Sequence, residues 1–151
     1  MPDLEWRCKS FASLTPFELY SILQLRNEVF VVEQNCVFQD ADDKDQQCHH
    51  LMGWQGDHLA AYTRLVPAGV AYVFNSIGRV VTSPRNRGDG LGKALMQKSI
   101  EVCDELLGEG TIKIGAQLYL KRFYESFGFV QVGEVYDEDG IDHIHMLLTR
   151  T

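Results

Sequence analysis

The chain has 151 residues, of which 45% are hydrophobic, and carries a formal net charge of −7. This length predicts a single domain over residues 1–151 with one hydrophobic core. The acidic balance argues against nucleic-acid binding, which depends on basic patches, and favours a small or cationic partner. No apolar run approaches the roughly 20 residues of a membrane span.

The start of the chain shows no basic region followed by an apolar one. We therefore expect no signal peptide and a cytoplasmic location. The four cysteines are far apart and contain no C-x-x-C pair: Cys8, Cys36, Cys48 and Cys103. This spacing predicts reduced thiols that pack in the protein, with neither a disulfide framework nor a metal site.

The first predicted elements are a strand at residues 4–10 and a helix from Pro16 to about Val29 or later. Thr15 is a good N-cap, Pro16 suits the first helical position, and Glu18 completes a capping box. We expect the core-facing side of this helix to carry mainly large apolar residues: Phe17, Leu19, Tyr20, Ile22, Leu23, Val29 and Phe30.

An acidic segment follows at residues 39–45. It does not fit an EF-hand, because Lys44 occupies a ligand position and no glycine is in register. Two interpretations stay open, of which we prefer the first. The segment is either a solvated loop or a negative rim that attracts a cationic amine.

The remainder alternates between strand and helix signals. A hairpin is predicted at residues 50–55 and 58–66, whereas residues 70–74 fit either a strand or an ordered loop. Further strands are predicted at 77–82, 111–115, 129–135 and 141–148, and an acidic turn at residues 137–140 joins the last two. Helices are predicted from Leu91 to about Leu107 and over 118–127. The first of these places Leu91, Leu95, Val102, Cys103 and Leu106 on one face.

A glycine-spaced loop joins the predicted strand at 77–82 to the helix from Leu91. Unpaired N–H groups at a helix N-terminus favour an anion, and glycines let the backbone approach a phosphate. The spacing fits neither a P-loop nor the G-x-G-x-x-G dinucleotide fingerprint. It does match Arg-x-x-Gly-x-Gly, at Arg87, Gly90 and Gly92.

That motif, directly after Val-Val-x-x-Pro, resembles the coenzyme A pyrophosphate loop of the Gcn5-related N-acetyltransferase family. Residues 119–129, with Phe123-Tyr124 before Gly128-Phe129, resemble the second signature of that family. More narrowly, several stretches resemble its ElaA-type subgroup: Leu25-Arg26, residues 29–35, Gly115-Ala116-Gln117, and Gly140-Ile141 with His143. The resemblance covers nearly the whole chain.

The resemblance implies an α/β (α+β) fold. A mixed, mostly antiparallel central sheet would be splayed at the cofactor site and carry helices on both faces. It also implies acetyl-CoA as the cosubstrate, without a metal. The implied cofactor-binding residues are Val80, Val81, Thr82, Arg87, Gly88, Asp89, Gly90, Leu91, Gly92, Lys93, Gln117, Phe123 and Tyr124. Asp89 departs from the basic or neutral residue expected there, so it should either point outward or weaken the phosphate-binding loop.

Acyl transfer to an amine benefits from a proton donor for the leaving thiolate, an oxyanion donor and a base. The family position suggests Tyr124 as the acid, although periodicity alone makes it part of an aromatic face. Glu33, His50 and His143 are candidate bases, each with a purely structural alternative. The backbone N–H of Val81 or Thr82 is the expected oxyanion donor, and Arg79 fits a buried ion pair better than catalysis.

The resemblance predicts an enzyme that moves an acetyl group from acetyl-CoA to a primary amine of an unidentified small molecule or peptide. Two alternatives stay open. One is a non-catalytic acyl-CoA-binding regulatory module. The other is an enzyme like the acyl-homoserine-lactone synthases, which share the fold. We expect no nucleic-acid or membrane partner, and either a monomer or a homodimer.

Overall fold

The computed structural model describes residues 3–150. The expectation of no signal peptide concerns a segment that begins with Met1 and Pro2, which lie outside the described residues, as does Thr151. The helices are α1 (Pro16–Arg26), α2 (Leu91–Leu107) and α3 (Lys121–Glu125). Among the described residues, no helix is both long and apolar enough to cross a membrane.

The strands form a seven-stranded sheet in the order β1-β2-β3-β4-β5-β7-β6. Their bounds are β1 Glu5–Ser10, β2 His49–Gln55, β3 His58–Val66, β4 Asn75–Thr82, β5 Ile112–Gln117, β6 Val130–Glu138 and β7 Ile141–Leu148. Every neighbouring pair is antiparallel except β4 and β5, which are parallel. The predicted mixed, mostly antiparallel sheet is therefore confirmed, while the undecided residues 70–74 form turns and bends up to the start of β4.

The sheet opens between β4 and β5. These strands pair only at Asn75 with Ile112 and at Ser76 with Lys113. Beyond Ser76, β4 keeps its other neighbour, β3, and leaves one backbone edge free of β5. The predicted splay is thus present, and it exposes a strand edge inside the fold.

A β-bulge lies in the same part of β4. The pairing shift between Tyr62 and Arg64 sets two residues of β4, Arg79 and Val80, opposite Thr63 alone. Arg79 takes a φ of 52°, which a long side chain seldom adopts. Bulges redirect side chains and bend strands next to functional sites, so this bulge indicates that the splay is a candidate functional region.

Helices cover the sheet on both faces. The α2 and α3 side holds the larger core, which includes Leu91, Leu95 and Cys103 of α2. Leu106, predicted on the same face, is instead 48% exposed, and its neighbour Leu107 in the same last turn packs against this core. The α1 side holds a smaller core in which Ile22 and Leu25 pack on Tyr62 of β3.

The capping box of α1 is confirmed: the Glu18 amide donates to Thr15 Oγ1 (3.1 Å), and the Thr15 amide donates to Glu18 Oε1 (2.8 Å). The predicted core face of α1 is wrong in part. Phe17 and Tyr20 are 84% and 71% exposed, whereas Glu18, Ile22, Leu25 and Arg26 are buried. The buried stripe contains two charged residues because each finds an ion partner.

Two helical predictions differ in their details from the structure. After α1 the chain continues as a π-helical turn at Asn27–Glu33, a form that is often associated with functional sites. The predicted helix at 118–127 consists of a 3-10 turn, Leu118–Leu120, followed by the short α3.

Candidate active site

A cavity of about 510 Å³ lies in the gap between β4 and β5. Its walls come from β4 and β5, the π-helical turn and the residues after it, the segment around α3, and the tip of the β6–β7 hairpin. Predicted site residues that line it are Glu33, Val80, Val81, Thr82, Arg87, Gln117, Tyr124 and His143. The gap therefore brings together residues that are far apart in the sequence.

The direction of the backbone groups along β4 follows from one hydrogen bond. The Ser83 N–H donates to the Ala60 carbonyl of β3 (2.8 Å). Because successive N–H groups of a strand point to opposite sides, the Thr82 N–H faces the gap and that of Val81 faces β3. Of the two expected oxyanion donors, Thr82 is the one directed toward the cavity.

The glycine loop lies between the end of β4 and α2. Gly88 and Gly90 have φ values of 91° and 73°, which glycine adopts without strain. Asp89 and Lys93 are exposed, so Asp89 faces outward as expected, while Leu91 is buried under the loop in the main core. A Cβ atom on Gly92 would lie 3.9 Å from Phe123 Cζ, so this aromatic ring packs behind the start of α2. The loop thus offers unpaired N–H groups beside the cavity.

Arg87 and Glu33 form a bidentate ion pair across the cavity mouth. Arg87 Nη2 and Nη1 donate to Glu33 Oε1 (2.6 Å) and Oε2 (2.7 Å). These hydrogen bonds and the charge of Arg87 lower the pKa of the Glu33 carboxyl group. In this arrangement both oxygens of Glu33 are occupied, which suits a brace between the π-helical turn and the glycine loop.

Tyr124 belongs to α3 and is only 6% exposed, although it lines the cavity. Its ring packs edge-on against Phe123 and Phe129. Burial raises the pKa of Tyr124 to about 12, so its hydroxyl group is protonated at neutral pH. Within residues 3–150 no side chain hydrogen-bonds to this hydroxyl, which leaves it available as a donor to a ligand.

His143 lies on β7 and lines the same cavity. Its Nδ1–H donates to the Ile141 carbonyl (2.8 Å), which assigns the proton of a neutral ring to Nδ1. Its Nε2 lies 3.4 Å from Glu138 Oε2 and forms an ion pair only when the ring is protonated. The free position of the neutral ring is therefore Nε2, next to the tip of the β6–β7 hairpin.

The structure does not bring His50 into the cavity. This side chain is fully buried on β2, with Nδ1 2.6 Å from the Tyr62 hydroxyl and Nε2 2.9 Å from the Asp45 carbonyl. Burial lowers the pKa of His50 and keeps the ring neutral. Because both nitrogens are engaged inside the protein, His50 has no position from which to reach a substrate in the gap.

The acidic segment at residues 39–45 is neither a solvated loop nor a free negative rim. Asp40 and Asp45 are buried and bind the fully buried Arg26, whose Nε and Nη1 donate to Asp40 Oδ2 and Asp45 Oδ1, each at 2.8 Å. Arg79 joins this cluster: its Nη2 donates to the Asp40 carbonyl (2.9 Å), and its Nε lies 2.9 Å from Asp40 Oδ1. The predicted ion-pair role of Arg79 is confirmed.

Arg64 of β3 closes the network. Its Nη1 and Nη2 donate to Asp42 Oδ1 (2.7 Å) and Oδ2 (2.9 Å), and Nη1 also donates to Asp45 Oδ1 (2.9 Å). Three arginines are thereby matched with three aspartates, and we call these six residues the Arg–Asp network: Arg26, Arg64, Arg79, Asp40, Asp42 and Asp45. The network ties the bulge of β4 to the segment after α1, so it sets the shape of the gap.

The sequence interpretation missed cavity residues near the hairpin tip. Glu138 and Asp139 line the cavity, as does Cys36, whose Sγ–H donates to the Asp139 carbonyl (3.3 Å). The stretch 137–140 was predicted only as an acidic turn. The run of carboxylates there was the one available signal, but nothing in the sequence indicated that the tip folds over residues 33–38.

The chain belongs to a known family. Residues 22–150 match the acetyltransferase (GNAT) domain family. The glycine loop at the start of α2 is one of the motifs by which the sequence resembled that family, and the splayed sheet is the fold that the resemblance implied. Its members transfer acyl groups from acyl-CoA, so the chain is a member of an acyltransferase family.

Particular relatives narrow this placement to the ElaA type. The chain is 43% identical over 145 residues to the protein ElaA of Escherichia coli strain K12, covering 95% of each chain. The crystal structure of Escherichia coli ElaA superposes with a TM-score of 0.89 at 42% identity, over 96% of this chain and 99% of that one.

Two further solved structures resemble this chain, one in both sequence and fold and the other in fold alone. An acyl-CoA N-acyltransferase from Pseudomonas aeruginosa has a TM-score of 0.92 and 45% identity, over 96% of this chain and 99% of that one. A CoA-dependent acyl-homoserine lactone synthase has a TM-score of 0.77 at 17% identity, over 97% of this chain and 82% of that one. The latter likeness concerns the fold alone.

Proposed function

We propose that this protein transfers an acetyl group from acetyl-CoA to a primary amine of a small molecule or peptide. The observation that carries the proposal is the gap between β4 and β5, which leaves a strand edge free next to a glycine loop at a helix N-terminus. An amide-containing arm pairs with a free strand edge, and a pyrophosphate suits unpaired N–H groups. The gap and the loop are adjacent, as one extended ligand requires.

The residues would divide the binding as follows. The edge of β4 from Val80 to Thr82 takes the pantetheine arm, with Gln117 on the facing strand. Backbone N–H groups of the loop hold the pyrophosphate, and the residues concerned are Arg87, Gly88, Asp89, Gly90, Leu91, Gly92 and Lys93. Phe123 supports the start of α2 from behind.

In the proposed reaction the amine nitrogen attacks the thioester carbonyl carbon. A C–N bond forms, the C–S bond breaks, and the Thr82 N–H stabilises the oxyanion that develops. We assign His143 Nε2 to accept the proton that the amine loses, and Tyr124 to donate a hydrogen bond and then a proton to the departing sulfur. The products are an amide and the free thiol of coenzyme A. Glu33 is the second candidate base, if it leaves Arg87.

The proposal is tested by titrating the protein with acetyl-CoA in a calorimeter and then measuring thiol release with a panel of amines. We expect micromolar binding and thiol release with at least one amine. Absence of binding would contradict the proposal. Binding without turnover of any amine would support the non-catalytic acyl-CoA-binding module instead. Tighter binding of a longer acyl-CoA would indicate that the transferred acyl group is longer than acetyl.

A pair of glycine variants tests where acetyl-CoA binds. Gly88→Val strains the loop because Gly88 has a φ of 91°, and we expect at least a tenfold weaker binding of acetyl-CoA. Gly69→Val is the matched control, since Gly69 has a φ of 95° and equally open surroundings in a turn outside the cavity. Equal effects of the two variants on binding would argue against the loop.

A further inference from the structure

The cationic side chains of the cavity are already neutralised by the protein itself. Arg87 is held by Glu33 through two hydrogen bonds. Arg79 is held by Asp40, which lies outside the cavity, with 2.9 Å between Arg79 Nε and Asp40 Oδ1. Neither arginine is therefore available to balance another negative charge in the cavity.

The carboxylates at the other side of the cavity have no such partners. Glu138 approaches only His143, at 3.4 Å, and within residues 3–150 neither Glu138 nor Asp139 forms an ion pair with a lysine or an arginine. The sequence contains no lysine or arginine from Phe123 to Thr149. The hairpin that carries these two residues is therefore a concentrated negative charge at the cavity.

The hairpin tip is held in place against the cavity wall. Asp139 and Gly140 both have positive φ values, 54° and 84°, as in the tight turns that suit a two-residue hairpin. The Cys36 Sγ–H donates to the Asp139 carbonyl (3.3 Å) and ties the tip to the segment after the π-helical turn. The two carboxylates are thus fixed beside the cavity and are not on a loosely attached loop.

A second observation shows that this cavity is built for a polar ligand. Tyr124 is more than nine-tenths buried, lines the same cavity, and has no hydrogen-bond partner for its hydroxyl group among residues 3–150. The hydroxyl oxygen itself is reachable from the cavity, so a ligand there can form a hydrogen bond with it. The cavity therefore combines an unpaired tyrosine hydroxyl group with two carboxylates that no lysine or arginine of the described residues neutralises.

We propose that the acceptor is a cationic amine that carries a second positive group, and that Glu138 and Asp139 bind this second group. The first amine is the one that reacts, and the second takes no part in bond making. An unbranched diamine or polyamine has this chemistry, and so does a lysine side chain next to another cation in a peptide. The inference rests on the proposed acetyl transfer and specifies its substrate class.

The test compares acceptors that differ in one charge. Initial rates with acetyl-CoA are measured for putrescine, spermidine, n-butylamine and a lysine-rich peptide. We expect kcat/KM for a dication to exceed that for n-butylamine by about tenfold or more, because one additional charge pair is formed. Turnover of the peptide without turnover of the free diamines would assign the second cation to a polypeptide.

Variants of the hairpin tip identify the residues. Asp139→Asn removes one charge and keeps a residue that tolerates a positive φ. We expect it to lower kcat/KM for the dications about tenfold and to leave n-butylamine and the KM for acetyl-CoA unchanged. Asp142→Asn is the matched control, since Asp142 is exposed on the same hairpin and does not line the cavity. Glu138→Gln is the second test variant.

Three outcomes would overturn the inference. Equal kcat/KM for n-butylamine and the dications, or equal losses for both kinds of acceptor in Asp139→Asn, would contradict it and leave the proposed acetyl transfer standing. Turnover of no amine at a saturating concentration of acetyl-CoA would contradict the proposed function, and the inference with it.

Discussion

At the residue scale, the contacts of Glu33 and His143 distinguish these two remaining candidates for the catalytic base. Both oxygens of Glu33 accept hydrogen bonds from Arg87, and its pKa is lowered, so its carboxylate is a weak base as it stands. His143 lines the cavity, has its proton on Nδ1, and leaves Nε2 unprotonated beside Glu138 at the hairpin tip. We therefore favour His143 as the base and Glu33 as the brace of Arg87.

Tyr124→Phe is the sharpest substitution at this scale. The pKa of Tyr124, about 12, lies above the ~8.5 of a free thiol, so full proton transfer to the thiolate is uphill. The main contribution is then a hydrogen bond to the developing thiolate. Its loss should lower kcat about 10- to 100-fold with little change in the KM for acetyl-CoA.

The measurement is steady-state kinetics with Tyr20→Phe as the control, because Tyr20 is exposed on α1, outside the cavity. An unchanged kcat in Tyr124→Phe would exclude Tyr124 as the acid. A loss in both variants would point to a general effect of tyrosine removal.

Individual site residues could be predicted from the sequence only where a motif carried them. The glycine loop and Tyr124 belong to local patterns, so their positions relative to α2 and α3 follow from the chain itself. His50 and His143 were equivalent as sequence features. Only His143 lies at the cavity, because β7 borders the gap and β2 does not. Which strand borders the gap depends on long-range strand pairing, which the sequence does not show.

At the element scale, β4 is the strand on which the site depends. Its bulge sets Arg79 at a positive φ, and the Arg–Asp network holds that side chain from the segment after α1. Positive φ in a non-glycine residue costs free energy and persists where the surroundings fix it. The network therefore maintains the course of β4 along the cavity.

Asp40→Asn should destabilise the protein by about 3 kcal/mol, because it removes one of the two carboxylates that bind the fully buried Arg26 and the nearer carboxylate of the bulge residue Arg79. The measurement is urea unfolding at neutral pH. Asp43→Asn is the control, since Asp43 is exposed on the same segment and bonds only to Gln46 among the described residues. Equal stability of Asp40→Asn and the unmodified protein would refute the structural role of the network.

Two predictions at this scale, the core face of α1 and the solvated acidic segment, were wrong for the same physical reason. Apolar periodicity indicated that Phe17 and Tyr20 of α1 face the core, but the buried stripe includes Glu18 and Arg26. The acidic segment looked solvated for the same reason: its partners Arg26, Arg64 and Arg79 are distributed over the chain. The burial of matched charges leaves no periodic pattern in a sequence. The capping box of α1 and the apolar face of α2 do leave local sequence patterns, and both were predicted.

At the scale of the whole molecule, the sheet consists of two parts joined at two residue pairs of β4 and β5. One part carries α1 and the Arg–Asp network, and the other carries the β6–β7 hairpin. The order of elements and the mixed sheet were predictable because each strand and turn has its own local signal. The size of the gap was not, since it depends on how these two parts pack.

The network also predicts how global stability depends on pH. Burial opposes the charge on Asp45, but the hydrogen bonds and charges of Arg26 and Arg64 outweigh it, so its pKa in the folded state is lowered. Burial opposes the charge on Asp42 as well, but Arg64 and Arg79 outweigh it and lower the pKa of Asp42 well below its usual range. In the unfolded chain both carboxyl groups return to about 3.9.

Below that value the unfolded chain binds protons that the folded protein does not, so stability falls as the pH decreases. We expect the urea midpoint to fall gently from pH 7 to about 5, because the unfolded chain protonates His50 near pH 6.5 whereas the buried ring resists the proton, and to decline steeply below about pH 4. The decline should be smaller in Asp45→Asn, which is less stable at neutral pH, and unaltered in Asp43→Asn. A midpoint that stays constant down to pH 3 would contradict this prediction.

The central claim, that the gap between β4 and β5 receives the arm of acetyl-CoA, is tested most directly by amide hydrogen exchange with and without acetyl-CoA. We predict slower exchange over residues 77–93, including the Thr82 amide, because the ligand pairs with the strand edge and the loop. The β1–β2 pair, at the far edge of the sheet, serves as the internal control. Unchanged exchange over residues 77–93 at saturating acetyl-CoA would contradict the account.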